Sequence, residues 1–328
     1  MAKLFNPASN STYNAVQLAT VLVGLGMAGI SAERCLNPSP DRILDRLHEA
    51  EEEKFNRLVW KLNVDLLKQL RLPRKVMLSL DLTILPYYGE EQPALVSASD
   101  LPGTKLGICF ATLSIVEFGR TFTLAVRQVG PFTPRVKVLR EMLDSIKGLV
   151  EPRLILLDRG FFTVAVINEL NSRGLHFIMP APQNARIKNL CRAFESGEIG
   201  PIIDYTLRSG KEEATFVLTL LQRVTKDGLR TLTFASDMRL HPQRLRELYS
   251  CRWRIETNIR ELEKFRAFTT SAEMKLRRMY FWLAALLYNF WIVARNLLNG
   301  LLRAHEFKRL LGYHLRSARL ASGPGPPV

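Results

Sequence analysis

The 328-residue sequence is poor in cysteine and histidine: four cysteines, Cys35, Cys109, Cys191 and Cys251, and five histidines. No two cysteines stand at a CxxC spacing, so a zinc ribbon and a disulfide framework are both excluded, and a reducing cytosol is the simplest home. Long apolar runs are missing too. Phe281 to Val293, FWLAALLYNFWIV, is too short to cross a bilayer, contains Asn289 and is followed by Arg295, so it reads as a buried core helix. No membrane partner is expected. Charge is absent from Leu4 to Ala32, where AVQLATVLVGLGMAGI behind Lys3 has the apolar character of a signal-peptide core. The polar residues ahead of it argue against that reading, and retention of residues 1 to about 70 is expected.

Acidic residues are also in short supply. Lys and Arg number 46 against 31 Asp and Glu, a net charge of +15. The excess is concentrated: Arg239 to Arg319 holds 17 basic and 6 acidic residues. Such a balance suits a polyanionic partner, usually nucleic acid, although a solvated basic surface has the same composition.

Gly24, Gly26 and Gly29 match G-x-G-x-x-G, and Asp45 lies at the distance where a dinucleotide site places its acid. Pro38 and Pro40 interrupt the helix such a site needs, and Asp45 falls inside a helical pattern with Ile43, Leu44 and Leu47. Three short helices fit better: Tyr13 to Met27, Ser31 to Leu36, and a third capped by Ser39 with Pro40 in its first position. Arg42 and Arg46 project from the third. This set is similar to a helix-turn-helix unit with Arg42 and Arg46 as DNA-contacting candidates; a plain helical bundle is the alternative.

Two acids close apolar strands. VMLSLD ends in Asp81 and LILLD ends in Asp158. Between them lie strand patterns at Leu106 to Val116 and Thr121 to Val129, a turn at Gly119 and Arg120, and a helix at Pro134 to Leu149. After Asp158 come a helix from Phe161 to Leu170 and a strand from Leu175 to Met179. This order predicts an α/β, RNase H-like mixed sheet flanked by helices. Acids at the ends of neighbouring strands repel each other unless a cation lies between them, so Asp81 and Asp158 are candidate ligands of Mg²⁺. The alternative is that each caps a turn or pairs with Arg159 or Lys75.

Three further strands are expected at Ile202 to Leu207, Thr215 to Leu221 and Leu229 to Ser236. A long helical pattern then runs from His241, HPQRLRELYSCRWRIETNIRELEKF, placing Tyr249, Arg252, Glu256 and Glu263 close to one face. Here the sequence resembles a DDE transposase of the insertion-sequence type with a Y-(2)-R-(3)-E-(6)-K signature. Tyr249, Arg252 and Glu256 match at the stated spacing. Glu263 takes the fourth position and Lys264 comes one residue late, so Arg260 or Lys264 stands in for the lysine. LDLTILPYYG and LLDRGFF resemble the first and second aspartate motifs, and the likeness covers Arg74 to Leu298.

The resemblance implies catalytic and metal-binding roles for Asp81, Asp158 and Glu256 with two Mg²⁺ or Mn²⁺ ions. It implies DNA contacts from Tyr249, Arg252, Arg260 and Lys264, double-stranded DNA (transposon ends and target) as partner, a homodimer in the active complex, and a nucleoid-associated place in the cytoplasm. The expected organisation is a helical region at 1–72, the first part of the catalytic domain at 73–200, a β-rich insertion at 201–236, its helical completion at 237–300 and a basic tail at 301–328. Two other functions fit the same residues: a DNA-binding protein that has lost catalysis, and an RNase H-like nuclease without strand transfer.

Overall fold

The computed structural model describes residues 1–5, 13–34, 39–117, 120–225 and 228–321; the side chains of residues 120, 225, 254–256 and 318–321 fall outside this set. The chain divides into two compact units, residues 1–71 with 257–328, and residues 72–256.

The first unit begins with α1 (Ala15–Ala28), α2 (Pro40–Glu49) and α3 (Glu52–Lys68). The start of α1 is set by a capping box. The Asn14 side chain accepts from the Gln17 amide at 2.9 Å, and the Gln17 side chain accepts from the Asn14 amide at 3.0 Å. The glycine triplet is now accounted for without a nucleotide. A Cβ at Gly26 would lie 2.8 Å from Leu287 Cδ1 and 2.9 Å from the Phe265 carbonyl oxygen, so α1 packs closely there. Gly29 ends α1 in the left-handed conformation at φ 64°. Ser39 stands at the N-cap of α2 and Pro40 in its first turn, as expected, but the serine side chain makes no capping bond. Of the expected second helix, a 3-10 turn at Ala32–Arg34 is present, and residues 35–38 are outside the described residues.

The second unit opens with β1 (Lys75–Pro86), β2 (Val96–Ser97), β3 (Leu106–Glu117) and β4 (Arg120–Val129), then α4 (Arg135–Ser145), β5 (Glu151–Leu157), α5 (Val164–Ser172), β6 (Phe177–Pro180) and α6 (Ala185–Glu195). It continues with β7 (Ile202–Ser209), β8 (Glu212–Thr225), β9 (Gly228–Ser236) and α7 (Pro242–Ser250). Among the described residues these strands form one nine-stranded sheet in the order β2-β3-β1-β5-β6-β9-β8-β7, with β4 on β3. The pairs β1–β5 and β5–β6 are parallel and the rest antiparallel, so the sheet is mixed, as the element order predicts. Residues Gly107 to Val116 of β3 are buried without interruption, the pattern of a central strand covered on both faces. Residues 201–236, expected as an insertion, form β7–β9. These strands extend the same sheet, because β9 pairs with β6 from Ile178↔Ser236 to Pro180↔Phe234. Gly119 of the expected turn lies outside the described residues, and Arg120 opens β4.

The chain then forms α8 (Trp253–Glu263), α9 (Met274–Leu297) and α10 (Ala304–Ala321). Within the first unit α9 packs on α3 and α1, and α10 packs on α1. Most of α9 is buried, including Phe281, Leu283, Tyr288 and Asn289, as expected for a core helix; Asn289 Nδ2 donates to Asn63 Oδ1 at 2.6 Å. Among the described residues no helix is long and apolar enough to cross a membrane. The stretch from residue 301, expected as a tail, is largely α10.

Candidate active site

The strand carrying Asp81 does not end there. β3 pairs with β1 from Leu78↔Ile115 to Pro86↔Gly107, so Asp81 sits mid-strand opposite Thr112. On its other side the pairing does end: the β5 register runs to Leu80↔Leu157. Asp81 and Asp158 therefore follow one another's strands at the same level, on neighbours that lie about 4.8 Å apart. Asp158 keeps an extended backbone (φ −73°, ψ 160°) before the chain turns at Arg159–Phe161. The expectation that neighbouring strands bring these two acids together holds, although only β5 terminates.

Asp81 is 6% exposed. Its Oδ1 accepts from the Leu82 amide at 3.0 Å, and its Oδ2 lies 3.5 Å from Arg252 Nη1. The alternative of Lys75 for Asp81 gives way to this pair, since Lys75 instead meets Glu151 at 3.6 Å; the alternative of Glu256 for Arg252 falls outside the described residues, as the Glu256 side chain does. Arg252 arrives through a break in the helix that the sequence pattern made continuous. The Ser250 hydroxyl donates to the Glu247 carbonyl at 2.6 Å, the acceptor that a continuing helix would offer to the Cys251 amide. Cys251 N–H turns to Leu248 and Arg252 N–H to Tyr249, and α8 starts afresh at Trp253. Tyr249 and Arg252 thus belong to α7 and the break, while Glu256 and Glu263 belong to α8, so the four do not lie on one uninterrupted helix.

Tyr249 is buried. Its hydroxyl donates to the Leu157 carbonyl at 3.4 Å, tying α7 to the residue just before Asp158, and its ring packs against Phe234 with centroids 5.2 Å apart. Burial pushes the Tyr249 hydroxyl far above its ordinary pKa; the Arg252 cation opposes this, and the carboxylates of Asp158 and Asp81 add to it. One phenol thus feels both acids and the arginine. The Arg252 guanidinium lies 5.6 Å from the Tyr249 ring centroid.

The neighbourhood of Asp81 holds polar residues that the sequence reading passed over. Ser79 shares its face of β1, and Thr112 stands opposite on β3. Both hydroxyls are buried, with no hydrogen-bond partner among the described residues. The signal was the alternation Ser79, Asp81, Thr83 inside an otherwise apolar strand. Two carboxylates beside such hydroxyls make a hard-oxygen donor set, the kind Mg²⁺ and Mn²⁺ take. Among the described residues no group of three or more His, Cys, Asp or Glu stands ready to hold a metal; the Glu256 side chain lies outside the described residues, its backbone being in α8.

The remaining sequence candidates lie in the other unit. Arg260 and Lys264 are exposed on α8, Lys264 bonding Glu261 at 2.6 Å. Arg42 is exposed on α2, and Arg46 pairs with Glu49 at 2.6 Å.

Residues 133–290 match the family model described as the transposase DDE domain. That stretch is similar to a transposase DDE domain. Asp158, Tyr249, Arg252 and Glu256 fall within the matched stretch and Asp81 precedes it. In fold the chain is similar to the solved cryo-EM structure of the piggyBac transposase synaptic complex with hairpin DNA, with a TM-score of 0.65 at 13% identity, over 97% of this chain and 74% of that one. No curated protein matches it. The match to the DDE domain supports a DNA transposase function, and with it a DNA-cleaving enzyme, while the structural likeness shows the fold.

Proposed function

We propose that this protein cuts phosphodiester bonds at the ends of a mobile DNA element and joins the freed 3′-OH to target DNA. The observation that carries the reading is the level placement of Asp81 and Asp158 on β1 and β5, with Arg252 beside Asp81. Asp81, Asp158 and Glu256 are the residues that would hold the divalent ions, two in the full reading. Bound there, Mg²⁺ or Mn²⁺ would activate the attacking oxygen and stabilise the leaving one.

The chain's own groups do the rest. The Arg252 guanidinium, next to Asp81, would meet a phosphate of the scissile strand in the forked geometry arginine offers phosphate. Tyr249 holds the end of β5 and so the backbone from which Asp158 projects. Arg260 and Lys264 supply phosphate contacts from α8, and α2 with Arg42 and Arg46 adds a further DNA contact. Water displaces the 3′ oxygen at the element's end, leaving a 3′-OH; that hydroxyl then attacks the opposite strand or the target, with no covalent enzyme–DNA intermediate. A homodimer holds the two ends.

The test is nicking of a duplex carrying the element's terminal repeat. Asp158→Asn should lower the rate by on the order of 10³-fold or more, as loss of a group acting in a unit does, with DNA affinity nearly unchanged. Normal nicking by Asp158→Asn refutes the site. Binding without nicking by the wild-type protein would favour the DNA-binding protein without catalysis, and nicking without joining the nuclease.

A further inference from the structure

The C-terminal helices of the first unit enclose a cleft of about 510 Å³. One wall is the face of α8 that bears Thr257, Glu261 and Lys264, spaced at i, i+4 and i+7. α9 adds Trp291 and Arg295, and the turn into α10 with α10 itself adds Arg303, His305 and Lys308. Four Lys and Arg side chains line it together with one carboxylate.

We propose that this cleft seats a phosphate of the DNA strand, held by Arg303 and Lys308 with Lys264 and Arg295 behind them. The proposal rests on the transposase reading and adds to it a phosphate contact from Arg303 and Lys308, which the sequence motifs do not supply.

The cationic charge exceeds the acidic, with one carboxylate among four Lys and Arg side chains. Glu261, the carboxylate of the cleft, is bonded by the Lys264 ammonium at 2.6 Å. Lys308 donates to the Lys264 backbone carbonyl and lies 5.0 Å from the Phe265 ring centroid. Burial holds the Lys308 ammonium below its ordinary pKa; the nearby Lys264 cation adds to the effect and Glu261 opposes it. Two like charges are thus kept together where an incoming anion would relieve both. Arg303 is exposed at the rim, and among the described residues its side chain has no bonded partner, its backbone amide donating to Glu306 Oε2 at 2.8 Å.

The cleft is also preformed. Trp291 Nε1 donates to the Leu302 carbonyl at 3.1 Å, and Arg295 Nε donates to the Gly300 carbonyl at 3.2 Å while stacking 5.6 Å from the Trp291 ring. These bonds hold the turn at residues 298–303, where Asn299 (φ 51°) and Gly300 (φ 84°) both adopt the left-handed conformation. A wall already ordered spares a ligand the entropy of ordering it. The volume exceeds what a lone phosphate fills and leaves room for the flanking sugars, which favours a strand over a free ion.

The experiment measures affinity for a labelled duplex across a salt series. In the wild-type protein log K should fall steeply with log salt. In Arg303→Gln/Lys308→Gln affinity should drop about tenfold and the slope should shrink by about 1–2, one unit per lost phosphate contact. Arg303→Gln alone, a rim change that strands no buried group, should lose about one unit. Arg309→Gln removes the same charge from α10 outside the cleft and should change the slope less than Arg303→Gln does. A wild-type protein with a flat salt plot would sink the transposase reading itself. A steep wild-type plot with unchanged variants would sink the cleft alone. A thermal-shift arm with inorganic phosphate, at ionic strength matched by chloride, separates the sources: stabilisation that needs Arg303 and Lys308, with DNA binding unaffected by their loss, would make this a free-anion site and overturn the proposal.

Discussion

Each compact unit holds an arginine–carboxylate pair away from open solvent, and the two pairs are built differently. In the helical unit Arg278 grips Glu52 with a fork: Nε to Oε1 and Nη2 to Oε2, both at 2.6 Å, joining α9 to α3. The hydrogen bonds to Glu52 raise the Arg278 pKa, against the opposing effect of burial. In the sheet unit Arg252 and Asp81 have side chains only 10% and 9% exposed, yet approach no closer than 3.5 Å. The more buried pair, where a close contact would gain most from the low dielectric, is the looser one. A pair that only clamps two helices can close fully. Under the proposed function, a carboxylate that accepts a metal beside an arginine that accepts a phosphate is better kept at arm's length.

That contrast is open to direct attack. The largest effect belongs to the functional pair: Asp81→Asn should lower nicking by on the order of 10³-fold or more, and chelation of divalent ions should do the same to the wild-type protein while leaving DNA binding in place. Asparagine is the informative substitution, since it keeps an acceptor oxygen of the same shape beside Arg252, whereas Asp81→Ala removes that acceptor along with the charge. If Asp81→Asn nicks normally, the pair is structural and the contrast collapses. Next is Arg252→Gln, which should lower stability by about 3 kcal/mol, the carboxylate now lacking its cation. Added Mg²⁺ should restore more of the melting temperature in this variant than it adds to wild type; equal shifts would show that Arg252 and the ion do not share Asp81. Glu52→Gln, by contrast, should cost about 1–3 kcal/mol in denaturant unfolding, and the surviving folded protein should still nick. Loss of nicking in a folded Glu52→Gln protein would erase the division of labour. The smallest change is expected of Tyr249→Phe, which removes one long hydrogen bond to Leu157 and should cost about 0.5–1.5 kcal/mol, seen as a small drop in melting temperature.

Much of the fold could be read along the chain because its signals are local. The order of β1, β3, β4, α4, β5, α5 and β6 follows from runs of apolar residues and the turns between them. β7, β8 and β9 were legible as strands as well, but their membership of the central sheet was not, since the pairing Ile178↔Ser236 joins residues far apart in sequence. α6 went unread, although Asn184 caps it by accepting from the Ile187 amide at 2.9 Å. The glycine triplet misdirects for the same reason: Gly26 is small because α1 must pass close to Phe265 and Leu287, and nothing near Gly26 in the chain says so.

Asp81, Asp158, Tyr249 and Arg252 could each be singled out from the sequence, because an acid closing an apolar run and a fixed spacing on a basic helix are features of the chain itself. Their partners could not. That Arg252 faces Asp81, that Tyr249 bonds the carbonyl before Asp158, and that Lys264 and Lys308 share a cleft all depend on where strands register and where a helix breaks. The sequence by itself determined which residues are candidates to carry the chemistry, since side-chain type and local pattern are written in it. Only the tertiary structure decided what each one meets, because a buried charge answers to the groups packed against it, and those come from elsewhere in the chain.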